Sequence, residues 1–155
     1  MEKILISACL VGDNVKYDGT NNKSPLIDEL LKDFELIPFC PEVEGGLSIP
    51  RDKSERLGDR IVSEKGRDVT RQFSFGAEMA YNICLYLGIK VAILKETSPS
   101  CGVHEIYDGR FTHRKIKGRG YTTEYLEQKG IRVISENEIE DFLKEIRPEE
   151  KEESK

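Results

Sequence analysis

Four short apolar runs, near residues 3–7, 34–38, 91–94 and 131–134, punctuate a chain whose intervening stretches carry helical spacing. Such runs, bounded by polar turns, read as strands, and their alternation with helical stretches is the pattern of βα units around a mostly parallel sheet. The sequence therefore predicts an α/β fold, Rossmann-like and three-layered, with a short, mostly parallel sheet between flanking helices. The clearest helix spans about Gln72 to Leu87: Phe73, Gly76, Ala77, Ala80, Cys84 and Leu87 recur at three- and four-residue steps and share a face. Gly88 closes it. A first helix is expected from Ser24-Pro25 to about Lys32, with Ser at the cap and Pro at the first helical position. Shorter helices are expected at Thr122–Gln128 and Glu136–Ile146. Residues 41–71 and 103–120 are long, rich in glycine and charge, and only weakly periodic. Long loops in compact domains are usually functional or mobile. Asp108-Gly109, between Ile106-Tyr107 and Arg110-Phe111, carries the dipeptide of a tight hairpin turn.

Three of the four cysteines sit in loops directly after predicted strands: Cys9 after the first, Cys40 after the second and Cys101 after the third. If those strands are parallel neighbours, their carboxyl ends share one edge, where open α/β sheets keep their ligand sites, and the three thiols converge. Gly, Pro, Ser and Glu surround them, as in loops that bring backbone close to a ligand. Cys84 differs, because it lies on the apolar stripe of its helix between Ile83 and Leu85 and reads as core. Structural zinc sites favour paired Cys-x-x-Cys knuckles and four ligands, whereas these cysteines are 31 and 61 residues apart. His104 and His113, the two histidines, lie in a basic polar loop where solvent exposure is the commoner outcome. An iron–sulfur cluster held by three thiolates with one iron open suits three cysteines and no fourth. A zinc or iron–sulfur module without catalysis, and an enzyme with one nucleophilic cysteine, remain alternatives.

Composition narrows the classes. At 155 residues, 17.7 kDa, the chain is long enough for one domain with a real core, expected over residues 1–147. The charged run 148–155 is expected to be a disordered tail. No apolar run approaches the roughly 18 residues that cross a bilayer. Met1 leads straight into a strand without a basic n-region, so cytoplasm is the expected compartment, where thiols stay reduced and metal binding or catalysis explains cysteines better than disulfides. A net charge of -5 argues against a main task of gripping nucleic-acid backbone. A small-molecule partner fits better, and the oligomeric state is left open.

The motifs in order are Ser7-Ala-Cys-Leu10, Lys16-Tyr-Asp-Gly19, Cys40-Pro-Glu-Val43, Gly45-Gly-Leu47, Pro50-Arg51, Asp68-Val-Thr70, Gly76-Ala77, Leu94-Lys95, Ser98-Pro-Ser-Cys-Gly102, Tyr107-Asp-Gly109 and Gly130-Ile131. Over nearly its full length the chain resembles the 2-thiouracil desulfidase (TudS) family. Val15 departs from the pattern, since many relatives carry Cys there, so that position is not an indispensable ligand. The resemblance implies a [4Fe-4S] cluster bound by Cys9, Cys40 and Cys101, with the fourth iron free for the sulfur of a thiolated base. It also implies exchange of C=S for C=O without net electron transfer, releasing sulfide. Sulfur is a soft ligand, and binding it to iron makes the attached carbon more electrophilic toward water.

Glu42, two residues past Cys40 and held by Pro41, is the expected base that activates this water, with Glu44 the weaker alternative. Ser100, and after it Ser98, are candidate hydroxyls for holding substrate or relaying a proton; the plainer reading is turn chemistry. Tyr17, Asp18, Arg51 and Lys95 are candidate substrate-binding residues, each with a duller reading: a turn at Asp18-Gly19, a strand end at Lys95, a surface pair between Arg51 and Glu55. Residues 110–119 pack Arg110, His113, Arg114, Lys115, Lys117 and Arg119 into ten positions, a candidate phosphate grip or a solvated loop. The family includes fusions to a domain associated with tRNA, a segment this sequence does not show. A free thiolated base or nucleotide is therefore the expected substrate, ahead of tRNA.

Overall fold

In the computed structural model, which describes residues 1–147, the first apolar run becomes β1 (Glu2–Ser7). Its Ile4, Leu5 and Ile6 are fully buried because both faces of the strand are covered. β1 pairs in parallel with β2 (Phe34–Phe39) on one side and β5 (Val91–Leu94) on the other, and β5 pairs in parallel with β8 (Arg132–Ser135). The strand order is therefore β2-β1-β5-β8. Pro38 is tolerated because β2 is an edge strand and its missing N–H costs no ladder bond on the open side.

Alternation along the strands builds the two outer layers. Ile4, Ile6, Ile93 and Ile134 pack against Ile27 and Leu30 of α1 (Ile27–Leu31) and against Ile139 and Phe142 of α5 (Ile139–Ile146). Leu5, Ala92, Leu94 and Val133 pack instead with Ala80 and Cys84 of α3 (Thr70–Leu87) and Leu126 of α4 (Tyr121–Gln128). Each Ile, Leu, Val or Phe side chain removed from water contributes about 1.5–3 kcal/mol, so the two faces together outweigh any surface ion pair. α1 starts later than its sequence suggests: the Ser24 hydroxyl accepts from the Leu26 amide at 3.2 Å, making a turn ahead of the helix. α5 is preceded by a 3-10 turn, Glu136–Glu138, closed by a capping box between Ser135 and Glu138. Among the described residues no helix is long and apolar enough to cross a membrane. The expected tail, 148–155, lies outside the described residues.

The two weakly periodic stretches hold small elements stabilised by tertiary contact. The first contains α2 (Pro41–Glu44) and the antiparallel hairpin of β3 (Ser54–Leu57) and β4 (Arg60–Ser63), under which Ile61 packs with Val69 and Phe73. In the second, β6 (Glu105–Tyr107) pairs with β7 (Lys115–Lys117) across loop 108–114, so Asp108-Gly109 is not a tight two-residue turn. α2 crosses α3 at backbone distance. A Cβ on Gly76 would stand 2.0 Å from the Pro41 carbonyl oxygen, and one on Gly45 2.1 Å from the Gln72 carbonyl oxygen. The crossing fixes α2, and with it Cys40 and Glu42.

Alanine is the better helix former by about 1 kcal/mol, but overpacking costs about 1–3 kcal/mol or more where only backbone can yield. Gly76→Ala is therefore expected to lower the melting temperature followed by circular dichroism; an unchanged or raised value would mean that the crossing is loose.

Candidate active site

The carboxyl ends of β1, β2 and β5 open on a cavity of about 450 Å³. It lies where the chain turns to β2 on one side of β1 and to β5 on the other, the switch point at which open α/β sheets hold ligands. All three strand-end cysteines line it. Cys9 opens a 3-10 turn, Ala8–Val11, and Asn22 Nδ2 donates to its Sγ at 3.6 Å. Cys40 stands directly before α2, its Sγ 4.0 Å from the Val15 carbonyl oxygen. Cys101 is buried with its Sγ 3.4 Å from the Ser100 hydroxyl. Cys84 is not part of the lining; it is buried in the helical layer, where burial pushes its thiol up to about 11.

Burial also pushes up the thiols of Cys9, Cys40 and Cys101, the last to about 12. A free thiol in such surroundings stays protonated near neutral pH, the opposite of an activated nucleophile. Among the described residues no three His, Cys, Asp or Glu side chains form a set that would close on a single metal ion. All three sulfur-bearing side chains line the one cavity. Three soft thiol donors without a fourth fit a thiolate-bound iron–sulfur cluster better than a four-ligand structural zinc ion.

Glu42, in the first turn of α2, has each carboxylate oxygen committed to a different partner. Oε2 accepts from the Ser100 hydroxyl at 2.9 Å and lies 3.5 Å from that of Ser98. The two serine hydroxyls are 2.9 Å apart, so a donor chain from Ser98 through Ser100 to the carboxylate satisfies all three groups. Oε1 accepts from Arg51 Nε at 3.2 Å. Arg51, its side chain only 8% exposed, also donates to the Val15 and Ser48 carbonyls at 2.9 and 3.3 Å. The surface pair that the Arg51–Glu55 spacing suggests does not form.

The other candidates divide. Tyr17 lines the cavity with Lys53 Nζ 5.3 Å from its ring centroid, and Lys95 lines it with Nζ on Glu136 Oε2 at 2.8 Å. Asp18 and Glu44 are absent from the lining: Asp18 is an exposed turn carboxylate that accepts from the Thr20 hydroxyl at 2.6 Å, and Glu44 is exposed on α2. His104 pairs with Glu138 on the surface at 2.7 Å, whereas His113 reaches the cavity. Of the basic run, Arg110, Arg114, Lys115 and Lys117 are exposed and Arg119 is paired with Glu127.

A family model described as 2-thiouracil desulfurase matches residues 4–138. The chain belongs to this family. Within reach of the family is a solved structure titled [4Fe-4S]-dependent thiouracil desulfidase TudS, 47% identical and superposing with a TM-score of 0.86 over 91% of this chain and 95% of that one. A relative from Bacillus subtilis (strain 168), uncharacterized protein YbbK, is 39% identical over 90% of this chain and 99% of its own.

One group that the family motifs leave unmarked organises the Cys101 loop. Glu96, 8% exposed, follows β5, and its Oε1 accepts from the amides of Thr97, Val103, His104 and Glu105 at 3.3, 2.7, 2.8 and 3.1 Å. In sequence it is an ordinary loop acid, and only the folded loop reveals its partners. Burial would push its carboxyl up, but the backbone donors outweigh burial and the net shift is below the ordinary carboxylate value. A folded-state pKa below the unfolded one contributes stability that is present above the unfolded value and lost as pH falls through the folded one. The melting temperature should therefore fall below about pH 4, and Glu96→Gln should lower it at neutral pH while flattening that acid limb. Parallel pH profiles for the two proteins would remove Glu96 from this role.

Proposed function

We propose that the chain desulfurates thiolated uracil-type bases or nucleotides, converting C=S to C=O with one water consumed and one sulfide released, at a [4Fe-4S] cluster held by Cys9, Cys40 and Cys101. The observation that carries this reading is the meeting of three strand-end thiols, one carboxylate and its hydroxyl partner in a single cavity, in a chain 47% identical to a protein titled a [4Fe-4S]-dependent thiouracil desulfidase. Bound there, the cluster supplies a soft Lewis acid with an iron not taken by a protein thiolate, the expected place for the substrate's sulfur.

The chain's own groups do the rest. Glu42 takes the proton of the attacking water at Oε2, the oxygen that already accepts from Ser100. Ser100, backed by Ser98, returns a proton toward the departing sulfur through hydroxyls 2.9 Å apart. Arg51 holds the other oxygen and acts as a positioning residue rather than a substrate contact. The cavity of about 450 Å³ would hold the cluster together with the base, and the net charge of -5 favours a free base or nucleotide ahead of tRNA. A cytoplasmic setting agrees with four free cysteines.

The test is sulfide release by anaerobically reconstituted protein from 2-thiouracil, 4-thiouracil and their nucleotides. Stoichiometric sulfide and oxo-base from at least one is expected, and an inactive panel with about four irons per chain would leave a binding module instead. Cys→Ala at position 9, 40 or 101 should each deplete iron, whereas Cys84→Ala should keep it; depletion only at Cys84 would overturn the ligand set. Glu42→Gln should retain iron and lose about 10²-fold or more in kcat, and full activity would move the base elsewhere.

A further inference from the structure

Part of the cavity wall beyond the sheet edge comes from β3, through Ser54 and Glu55, and from loop 108–114, whose Phe111 and His113 line it. Both residues have positive φ, 58° and 62°, a region that a bulky side chain such as Phe rarely adopts. The loop is held in this conformation from β3. Glu55 Oε1 accepts from the amides of Gly109 and Phe111 at 3.0 and 3.1 Å. A Cβ on Gly109 would stand 2.8 Å from Leu57 Cβ and 2.9 Å from the Arg56 carbonyl oxygen, so the loop sits on that strand as closely as glycine allows. Backbone strain that persists because its surroundings enforce it concentrates at ligand clamps. The flanking Arg110, Thr112 and Arg114 are exposed, whereas the Phe111 ring is half-buried against the cavity.

We propose that Phe111 is a specificity-determining residue whose ring is the apolar face on which the planar base of the thiolated substrate packs, with Glu55 the positioning residue that holds it there. The inference rests on the reading that a thiolated base enters this cavity. A heteroaromatic ring stacks on an aromatic side chain through its face, whichever carbon carries the sulfur, so one contact serves both 2-thio and 4-thio isomers. It selects for flatness, and a saturated ring of the same outline should be a poor ligand.

Glycine and asparagine tolerate positive φ, so Phe111→Gly and Phe111→Asn remove the ring without adding backbone strain. Both should melt no lower than the wild type. Both should also raise KM for 2-thiouracil, and Kd for uracil measured by calorimetry, by about tenfold or more, leaving kcat within about threefold. Phe111→Tyr should retain binding. Glu55→Ala should raise KM and Kd in the same way, and Glu55→Gln, which keeps an acceptor oxygen, should recover them. A wild-type protein that turns over 2-thiouracil and binds uracil, with Phe111→Gly matching it in KM and Kd or losing only kcat, overturns this inference alone. A reconstituted wild type that neither releases sulfide nor binds uracil overturns the desulfuration reading and the inference with it.

Discussion

Loop 97–105 delivers two hydroxyls and a thiol to one cavity, and a single carboxylate oxygen gathers four of the amides that shape it. A buried carboxylate without partners would cost several kcal/mol, while a hydrogen bond to a charged group contributes about 1.5–3 kcal/mol. Four amides on Glu96 Oε1 therefore reverse the sign and turn a liability into the centre around which the loop winds. Glu96 is itself fixed, because its own amide donates to Glu136 Oε1 at 2.7 Å and the same Glu136 holds Lys95. From the other side the start of α4 spends its unpaired amides on loop carbonyls: Tyr121 on Pro99, Thr122 on Ser100, Gly120 on Gly102. Thr97 accepts a φ of 66° within this frame.

Glu42 is constrained by a different route, and the two routes meet at Ser100. Its helix is seated by the close crossing over Gly76, so the carboxylate reaches the loop from the β2 side while Cys101 arrives from the β5 side. Arg51 then removes the remaining freedom. A carboxylate with one guanidinium N–H on one oxygen and a hydroxyl on the other has a defined orientation, whereas a lone glutamate in a cavity of this size samples several rotamers. The Val15 carbonyl, shared between Arg51 and the neighbourhood of Cys40, links the same clamp to a second thiol. A side chain is not needed for that link, which runs through the backbone of Val15.

The parallel sheet and its helices were legible in the sequence because burial on two faces leaves continuous apolar runs and a 3.6-residue stripe, signals that survive without knowledge of partners. The cysteines were legible for a related reason, since each interrupts the polar turn that follows such a run. Cys84 falls on a helical stripe, whereas Cys9, Cys40 and Cys101 follow strands among Gly, Pro, Ser and Glu, and these three line the cavity. The exchange of Arg51 from a supposed pair with Glu55 to one with Glu42 was not legible. Spacing of four residues matters on a helix, and this segment forms none.

What stayed hidden has a common cause. β3, β4, β6 and β7 are strands of three or four residues, too short for an alternating pattern to be distinguished from chance. Their stability comes from contacts across the chain: Ile61 under one hairpin, Glu55 from that hairpin to the loop of the other. Asp108-Gly109 shows how a local signal then misleads. The dipeptide favours a tight turn by itself, but here the glycine is required by a close approach to Leu57, and the strands pair further out. A site assembled in this way has one wall written in local periodicity and the other in long-range contacts. The first fixes where the thiols meet, and the second can change, residue by residue, which ring is admitted to them.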